Sequence, residues 1–204
     1  MLLTVDTLDF AVPCVDENSL FQFLGLNIVD FDYSNRACIR NYTYSYYFQG
    51  LILCFGGTDK YAAYVRMSGK GCRTFEDLKG DTFDWLQFLK DLMNFRDVSF
   101  RRIDIACDVY SDLINVRKLN CYLNDRRVAG ACRIDKMHAD IGFTKEIFYA
   151  GSEKSVFLLR VYNKAFERGY LDGLKDGKPW YRAEIQLRDR GAVQFIVEWA
   201  KCGD

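Results

Sequence analysis

The chain is poor in residues that would interrupt or cross-link a fold. It has two prolines in 204 residues, and none of its eight cysteines forms a Cys-x-x-Cys pair. Few prolines and no low-complexity tract argue against a flexible linker between domains. The absent Cys-x-x-Cys motif argues against a zinc site or a disulfide framework, and favours reduced thiols in a cytoplasmic protein. No segment approaches the roughly 20 apolar residues that cross a bilayer, so no membrane partner is expected.

The chain also has only one histidine and no net charge. His138 is the single histidine, so a metal site built on a histidine pair is excluded, and any divalent ion must be held by carboxylates. We expect His138 to be an ordinary surface or hairpin residue. The net charge is zero, with 9 Lys/Arg against 13 Asp/Glu in residues 1–100 and 19 against 15 in residues 101–204. The small positive surplus of the second half suits an anionic ligand.

What the sequence does contain is strands with one apolar and one polar face. Residues 101–110, 156–164 and 179–188 alternate with period two, as half-buried strands do. Their polar rows are rich in groups that bind phosphate and metal, which predicts a site on one face of a sheet. The polar rows hold Asp104, Asp108, Arg160, Tyr162, Lys164, Arg182, Glu184, Gln186 and Arg188, and the apolar rows hold Ile103, Ile105, Cys107, Leu159, Val161, Ala183, Ile185 and Leu187.

Helix and strand patterns occur in the same order twice. They predict an α+β fold: a mainly antiparallel sheet with helices packed on its apolar face. We expect one catalytic domain of residues 1–204 that consists of two strand–helix–hairpin halves, 1–99 and 100–204. In the first half we predict a helix from Asp16 to Gly25, a turn at Gln49–Gly50, a strand ending in a tight turn at Gly69–Gly71, and a helix capped by Asp81 or Thr82. In the second half we predict strands at 100–110, 129–135, 139–150, 156–164 and 179–188, a helix from Ser111 or Asp112 to Leu123, and a helix at 191–201.

The polar rows have the chemistry of phosphodiester cleavage. Asp104 and Glu184, on strands about 4.8 Å apart, are the better pair of ligands for Mg²⁺ or Mn²⁺, because Asp108 lies about 13 Å further along its strand. Tyr162 beside such an ion is a candidate nucleophile, and Lys164 either lowers the pKa of the phenol or holds the phosphate. Arg160 and Arg182 offer planar forks for phosphate oxygens. The alternative is an ordinary sheet surface, whose cross-strand pairs contribute only about 0.2–1 kcal/mol each.

Two glycine-containing segments are candidate phosphate contacts. Residues 68–71 (Ser-Gly-Lys-Gly) lack the Walker spacing, so no ATP site is predicted. We expect a structural turn there, with Lys70 and Arg73 guiding a DNA backbone. Residues 151–155 are expected to form the hairpin loop before the tyrosine strand, with Ser152 and Lys154 on phosphate. Arg188 is a further candidate DNA contact, and the aromatic residues 42–48 either stack unpaired bases or pack in the core.

Four blocks of the sequence resemble the replication initiation factor family. They are VRMSGKGCRTFE (65–76), RRIDIACDVY (101–110), FYAGSEKSVFLLRVYNKAFERG (148–169) and WYRAEIQLR (180–188). The family includes rolling-circle replication initiators and the relaxases of conjugative elements. The resemblance implies a DNA nickase that forms a 5′-phosphotyrosyl intermediate, with Tyr162 as the catalytic tyrosine and Asp104, Glu184 and Asp108 as acidic metal residues.

The resemblance also implies partners and leaves alternatives open. The expected partners are origin DNA, single-stranded or extruded as a hairpin, a helicase and a second copy of the chain. A DNA-binding module without catalysis and a phosphodiesterase with a water nucleophile remain alternatives, and the sequence does not separate a replication initiator from a conjugative relaxase. Relaxases of this class commonly carry a helix-turn-helix domain before the catalytic part, whereas this chain begins directly in the catalytic pattern.

Overall fold

We analysed a computed structural model of the chain. It describes residues 3–13, 16–95, 97–111, 113–119, 137–141, 146–152 and 154–202. The predicted strand at 129–135 lies outside these ranges. In the part of the chain that is described, no helix is long and apolar enough to span a membrane.

Strands outnumber helices, and the fold is α+β with mainly antiparallel pairing, as predicted. The strands are β1 (Leu3–Val12), β2 (Asp32–Ser34), β3 (Tyr44–Phe48), β4 (Leu51–Thr58), β5 (Tyr61–Met67), β6 (Ser99–Val109), β7 (Met137–Ile141), β8 (Glu146–Gly151), β9 (Phe157–Asn163), β10 (Leu174–Lys175), β11 (Lys178–Pro179) and β12 (Tyr181–Arg188). The helices are α1 (Glu17–Leu24), α2 (Gly69–Lys79), α3 (Trp85–Met93), α4 (Lys164–Glu167) and α5 (Arg190–Cys202), with a short 3₁₀ helix at Ile28–Asp30.

The chain divides into two compact units. Unit N comprises Val5–Ile103 and Arg188–Asp204, and unit C comprises Met1–Thr4 and Asp104–Leu187. The strand order is β2-β3-β4-β5-β1 in unit N and β6-β12-β9-β8-β7 in unit C. All the catalytic and metal residues predicted from the polar rows belong to unit C.

Unit N is built on an apolar sheet face. In the register of β1, β5 and β4, Phe10 lies opposite Val65, and Val65 lies opposite Leu53. All three side chains are fully buried, because alternate residues of each strand point to the same face. Tyr44 and Tyr46, from the aromatic segment of β3, donate hydrogen bonds to the carboxylate of Glu17 on α1, at 2.6 and 2.7 Å. This part of the aromatic segment therefore connects the sheet to a helix.

Several predicted element ends in unit N are confirmed. Asp16 caps α1 by accepting a hydrogen bond from the Ser19 amide, and Gly25 ends it in the left-handed conformation, as the sequence predicted. Gln49 and Gly50 both have positive φ and join β3 to β4 in a two-residue turn. The predicted C-terminal helix is α5.

Two predictions in unit N are wrong. Residues 69–71 do not form a tight turn: Ser68 caps α2, which begins at Gly69. Gly71 is required there because a Cβ would lie 2.2 Å from the Gly50 carbonyl oxygen, so the glycine marks close packing and not a chain reversal. The cap of α3 is Asp84, whose carboxylate accepts from the Leu86 and Gln87 amides, and not Asp81 or Thr82.

Unit C differs from the prediction in two places. The segment predicted as one strand at 139–150 contains two antiparallel strands, β7 and β8. The predicted helix after β6 begins later than Ser111 or Asp112: its described turn covers 116–119, and the Asn115 side chain accepts from the amides of Arg117 and Lys118. The core of the unit contains Val116, Phe148, Ala150, Val161 and Tyr181.

Candidate active site

Strand register brings the predicted polar residues together in unit C. Across β8, β9 and β12, Tyr149 lies opposite Arg160, and Arg160 lies opposite Glu184. In the neighbouring row, Tyr162 lies opposite Arg182. Since alternate residues share a face, these side chains project from the same face of the sheet.

Two acids flank one guanidinium group in this cluster. Arg160 Nη2 lies 3.7 Å from Asp104 Oδ2 and forms a shorter charged hydrogen bond with Glu184 Oε1. The Asp104 side chain is 0% exposed and that of Glu184 is 4% exposed, whereas Arg160 retains 28% exposure. Buried acids of this kind persist only with compensating charge and hydrogen bonds, and Arg160 supplies both. The cluster therefore places Asp104 and Glu184, two of the three predicted metal residues, around one cation.

The Tyr162 hydroxyl lies between a carboxylate and an ammonium group. It donates to Glu184 Oε2 at 3.4 Å and accepts from Lys164 Nζ at 3.4 Å. The same ammonium lies 5.4 Å from the centre of the tyrosine ring and forms an ion pair with Glu167. These hydrogen bonds are long, as catalytic ones often are without substrate. The phenol thus has a proton acceptor on one side and a positive charge on the other.

A strand-to-helix transition places Lys164 beside the tyrosine. Asn163 ends β9 and caps α4 by accepting from the Phe166 amide, while its Nδ2 donates to the Gly173 carbonyl. The Lys164 amide donates to the Trp180 carbonyl at 2.7 Å. The Lys164 side chain is only 5% exposed. The Trp180 carbonyl therefore fixes the backbone of Lys164, and Glu167 and Tyr162 bind its ammonium group.

Asp108 and Arg182, predicted as metal ligand and catalytic residue, bind each other. Arg182 donates from Nε to Asp108 Oδ1 at 2.8 Å and from Nη2 to Oδ2 at 2.7 Å. Burial acts to raise the pKa of Asp108, but the hydrogen bonds and charge of Arg182 outweigh it and hold the pKa below its ordinary value. Both carboxylate oxygens of Asp108 are thus engaged in a fork-to-fork pair.

A cleft of about 370 Å³ opens beside the tyrosine. Its walls include three acids: Glu184, which was predicted from the polar rows as a metal ligand, and Glu146 and Glu167, which were not predicted. Glu146 is buried and accepts from Arg117 Nε at 2.6 Å and from the Tyr181 hydroxyl at 3.0 Å. Sequence reasoning missed Glu146 and Glu167, because they begin β8 and end α4, where no periodic pattern marks them. The remaining lining residues are Ile147, Arg160, Tyr162, Asn163 and Phe166.

The predicted loop contacts lie in the β8–β9 hairpin. The Ser152 hydroxyl accepts from the Lys154 amide, and its carbonyl accepts from the Ser155 hydroxyl at 2.7 Å. Lys154 is exposed. Ser152 therefore shapes the loop, and Lys154 extends from it. His138 lies opposite Tyr149 in the backbone register of β7 and β8.

The other three predicted DNA contacts belong to unit N. Lys70 is exposed on α2. Arg73 donates to the Val5 carbonyl at 2.5 Å and pairs with Glu76 at 2.9 Å, so its guanidinium already has internal partners. Arg188 Nε is buried and has no hydrogen-bond partner among the described residues. Lys70 is exposed to solvent and the Arg73 side chain keeps 43% exposure, whereas Nε of Arg188 is buried.

Two carboxylates suit a magnesium or manganese ion. Mg²⁺ is commonly bound by one or two carboxylates, with water and substrate phosphate as the other ligands. Asp104 and Glu184 both contact one cationic group, so their oxygens are close enough to share a charge. Within the described residues, no group of three or more His, Cys, Asp and Glu side chains is arranged to hold a metal ion. The residues therefore fit an ion that relies on water and phosphate, and do not form a closed protein cage.

Comparison with known proteins assigns the class. Residues 98–204 match the family described as "Replication initiation factor", and residues 3–91 match the "Rolling Circle replication initiation protein N-terminal domain". The first match spans more than half of the chain. The chain belongs to the replication initiation factor family.

Two relatives illustrate the likeness. The chain is 29% identical over 156 residues to the protein named "Putative DNA relaxase NicK" of Bacillus subtilis (strain 168), a match that covers 72% of the chain and 44% of NicK. It therefore spans less than half the length of that relative. The structure of the rolling circle replication initiator protein from Geobacillus stearothermophilus superposes with a TM-score of 0.80 at 26% identity, over 98% of this chain and 78% of the other.

Proposed function

We propose that the chain nicks and rejoins one strand of DNA at a specific site, through a covalent bond to Tyr162. The observation that carries the proposal is the position of the Tyr162 hydroxyl, 3.4 Å from both Glu184 Oε2 and Lys164 Nζ at the edge of a cleft. Family membership supports a role at an origin of replication or transfer. A helicase and a second copy of the chain remain predicted partners.

Each side chain has a defined part in the proposed reaction. Glu184 accepts the phenolic proton while the Tyr162 oxygen attacks the scissile phosphorus. The new O–P bond forms as the bond from phosphorus to the 3′ oxygen breaks, and that oxygen leaves with the electron pair and takes up a proton. The product is a 5′-phosphotyrosyl adduct and a free 3′-hydroxyl, and religation reverses the steps.

Cations around the phenol support this chemistry. Lys164 stabilises the phenolate, and Arg160, which lines the cleft, binds the phosphate oxygens. A divalent ion held by Asp104 and Glu184 would supply Lewis-acid stabilisation of charge on the phosphate. Arg182 and Asp108, held by each other, are assigned to positioning of the strand that carries Glu184, although Asp108 was first predicted as a metal ligand.

The test is formation of a denaturation-resistant adduct. The full chain is incubated with Mn²⁺ and 3′-end-labelled single-stranded oligonucleotides that tile both strands of the DNA around its own coding sequence. We expect an SDS-resistant labelled band with the wild-type protein and with Tyr149→Phe, and none with Tyr162→Phe. Tyr149 is the matched control, because it projects from the same sheet face one strand away.

Each alternative outcome has a different meaning. An adduct with Tyr162→Phe would overturn the assignment of the nucleophile, and its loss in Tyr149→Phe alone would transfer that role. Cleavage without an adduct, retained in Tyr162→Phe, would indicate a phosphodiesterase with a water nucleophile. Binding without cleavage of any oligonucleotide would indicate a DNA-binding module. Nicking that survives EDTA would overturn the metal assignment.

A further inference from the structure

Arg160 contacts both of the acids that would hold a divalent ion. Its Nη2 contacts both Asp104 Oδ2, at 3.7 Å, and Glu184 Oε1. A guanidinium group donates along the carboxylate lone pairs, which are the same lone pairs that coordinate Mg²⁺ or Mn²⁺. The arginine and an ion therefore cannot both use these oxygens in full.

The arginine is incompletely satisfied in this position. Arg160 Nε is buried and has no hydrogen-bond partner among the described residues. A buried donor without a partner is destabilising, and a hydrogen-bond acceptor in the cleft would satisfy it. The cleft of about 370 Å³ is lined by Arg160 itself, and an anionic group within it would provide acceptors.

We infer that Arg160 and the divalent ion compete for Asp104 and Glu184. In the absence of an ion, Arg160 neutralises the two buried acids and keeps the site folded. When an ion takes the carboxylates, the guanidinium is released into the cleft, where a phosphate of the DNA backbone accepts from it. The inference rests on the proposed function for the identity of that phosphate, but the competition itself concerns only the chain and the ion.

Burial and register support an exchange at this residue. Arg160 retains 28% exposure, whereas the acids it holds are 0% and 4% exposed, so of the three side chains the arginine has the most contact with solvent. The side chain has several rotatable bonds, and its backbone is fixed between β8 and β12. Its guanidinium can therefore leave the acids without any change in the sheet.

The first experiment measures binding of Mn²⁺ alone by calorimetry, on the full chain without DNA. We expect Arg160→Gln to bind Mn²⁺ at least about tenfold more tightly than the wild type, because the ion no longer displaces a cation. The matched control is Arg117→Gln, which removes an arginine from another buried acid lining the same cleft, Glu146, and should change the affinity less than about twofold. Asp104→Asn in the Arg160→Gln background should abolish the gain. An unchanged or weaker affinity in Arg160→Gln overturns the competition.

A second measurement uses the wild-type protein and does not depend on the folding of Arg160→Gln. Arginine Nε–Hε signals in ¹H–¹⁵N spectra are followed as Mg²⁺ is added. We expect the signal lost in Arg160→Lys to shift with the same midpoint as Mg²⁺ binding, and the Arg117 signal to stay in place. An Arg160 signal that remains unchanged when Mg²⁺ is saturating overturns the inference.

The outcomes separate this inference from the proposed function. Competition without a Tyr162-dependent adduct would remove the nicking assignment and leave the ion exchange standing. An adduct without competition would preserve the nicking assignment and overturn the role given to Arg160.

Discussion

Replacement of Lys164 by methionine should slow formation of the Tyr162 adduct while leaving the fold intact. The ammonium lies 3.4 Å from the phenolic oxygen, on a side chain that is 5% exposed. Methionine retains an unbranched chain of similar length and removes only the charge and the donor. Its ion-pair partner, Glu167, is 50% exposed and can be hydrated after the change.

The magnitude follows from the distance. Two unit charges 3.4 Å apart interact with about 5 kcal/mol at an effective dielectric constant of about 20. Glu167 shares the lysine charge, so we expect the phenolate to lose about 2–4 kcal/mol of stabilisation. At about 1.36 kcal/mol for each factor of ten, the adduct should form about 30- to 900-fold more slowly at neutral pH.

The assay is single-turnover adduct formation at pH 7, with thermal unfolding as the check on folding. Lys164→Arg keeps the positive charge and should therefore retain more activity than Lys164→Met. Lys60→Met removes an exposed lysine from the turn between β4 and β5 and is the control for general loss of positive charge. A Lys164→Met rate within about threefold of wild type at pH 7 would refute the proposed electrostatic role.

Three further predictions concern stability. Asp108→Asn should lower the free energy of unfolding by about 1–3 kcal/mol at pH 7. Because the pKa of Asp108 is depressed in the folded state, its contribution to stability is lost as the pH falls through that pKa, so the difference in urea unfolding between wild type and variant should shrink below pH 3.8. An equal difference at pH 7 and pH 3 would contradict this. Gly71→Ala should destabilise the protein by about 1–3 kcal/mol or more, since the new Cβ would lie 2.2 Å from the Gly50 oxygen. Gly69→Ala should have little effect, because the atom nearest to its new Cβ is 3.3 Å away. Equal midpoints of thermal unfolding for the two variants would argue against the close packing of Gly71. Burial raises the pKa of Asp9 above 3.8, so the unfolded state loses this proton at a lower pH than the folded state does. The free energy of unfolding of the wild type, relative to that of Asp9→Asn, should therefore fall as the pH rises above 3.8. A rise in that relative free energy would show that the ion pair with Arg66 outweighs burial.

Local chemistry made part of the fold predictable. Asp16 and Gly25 bound α1 because a side-chain cap and a left-handed glycine are short-range devices visible in the sequence. The polar row with Asp104 and Glu184 was predictable because period-two alternation survives in both strands. By contrast, α2 begins with two glycines, which disfavour helix intrinsically, and the contact of Gly71 with Gly50 that offsets this is long-range.

The details of the site depend on register, which the sequence does not encode in any one segment. Alternation predicted that Arg160 and Glu184 share a face, but only pairing of β9 with β12 shows that they are directly opposite. The burial of the two rows also differs from the expectation. Glu184 is buried and Ile185, from the apolar row, is 37% exposed, because charged partners cover the acid while the described core packs around Val161 and Tyr181.

The hairpin between β8 and β9 helps to set the register on which the site depends. Gly151 has φ 101°, and a Cβ on it would lie 2.5 Å from the Phe157 carbonyl oxygen, so this position of the turn requires glycine. A slip of one residue would turn Tyr162 and Arg160 to the opposite face and put Val161 in the cleft. A chain with that slip would lack the contacts of Tyr162 with Glu184 and Lys164, so the proposed nicking activity depends on correct pairing of these strands.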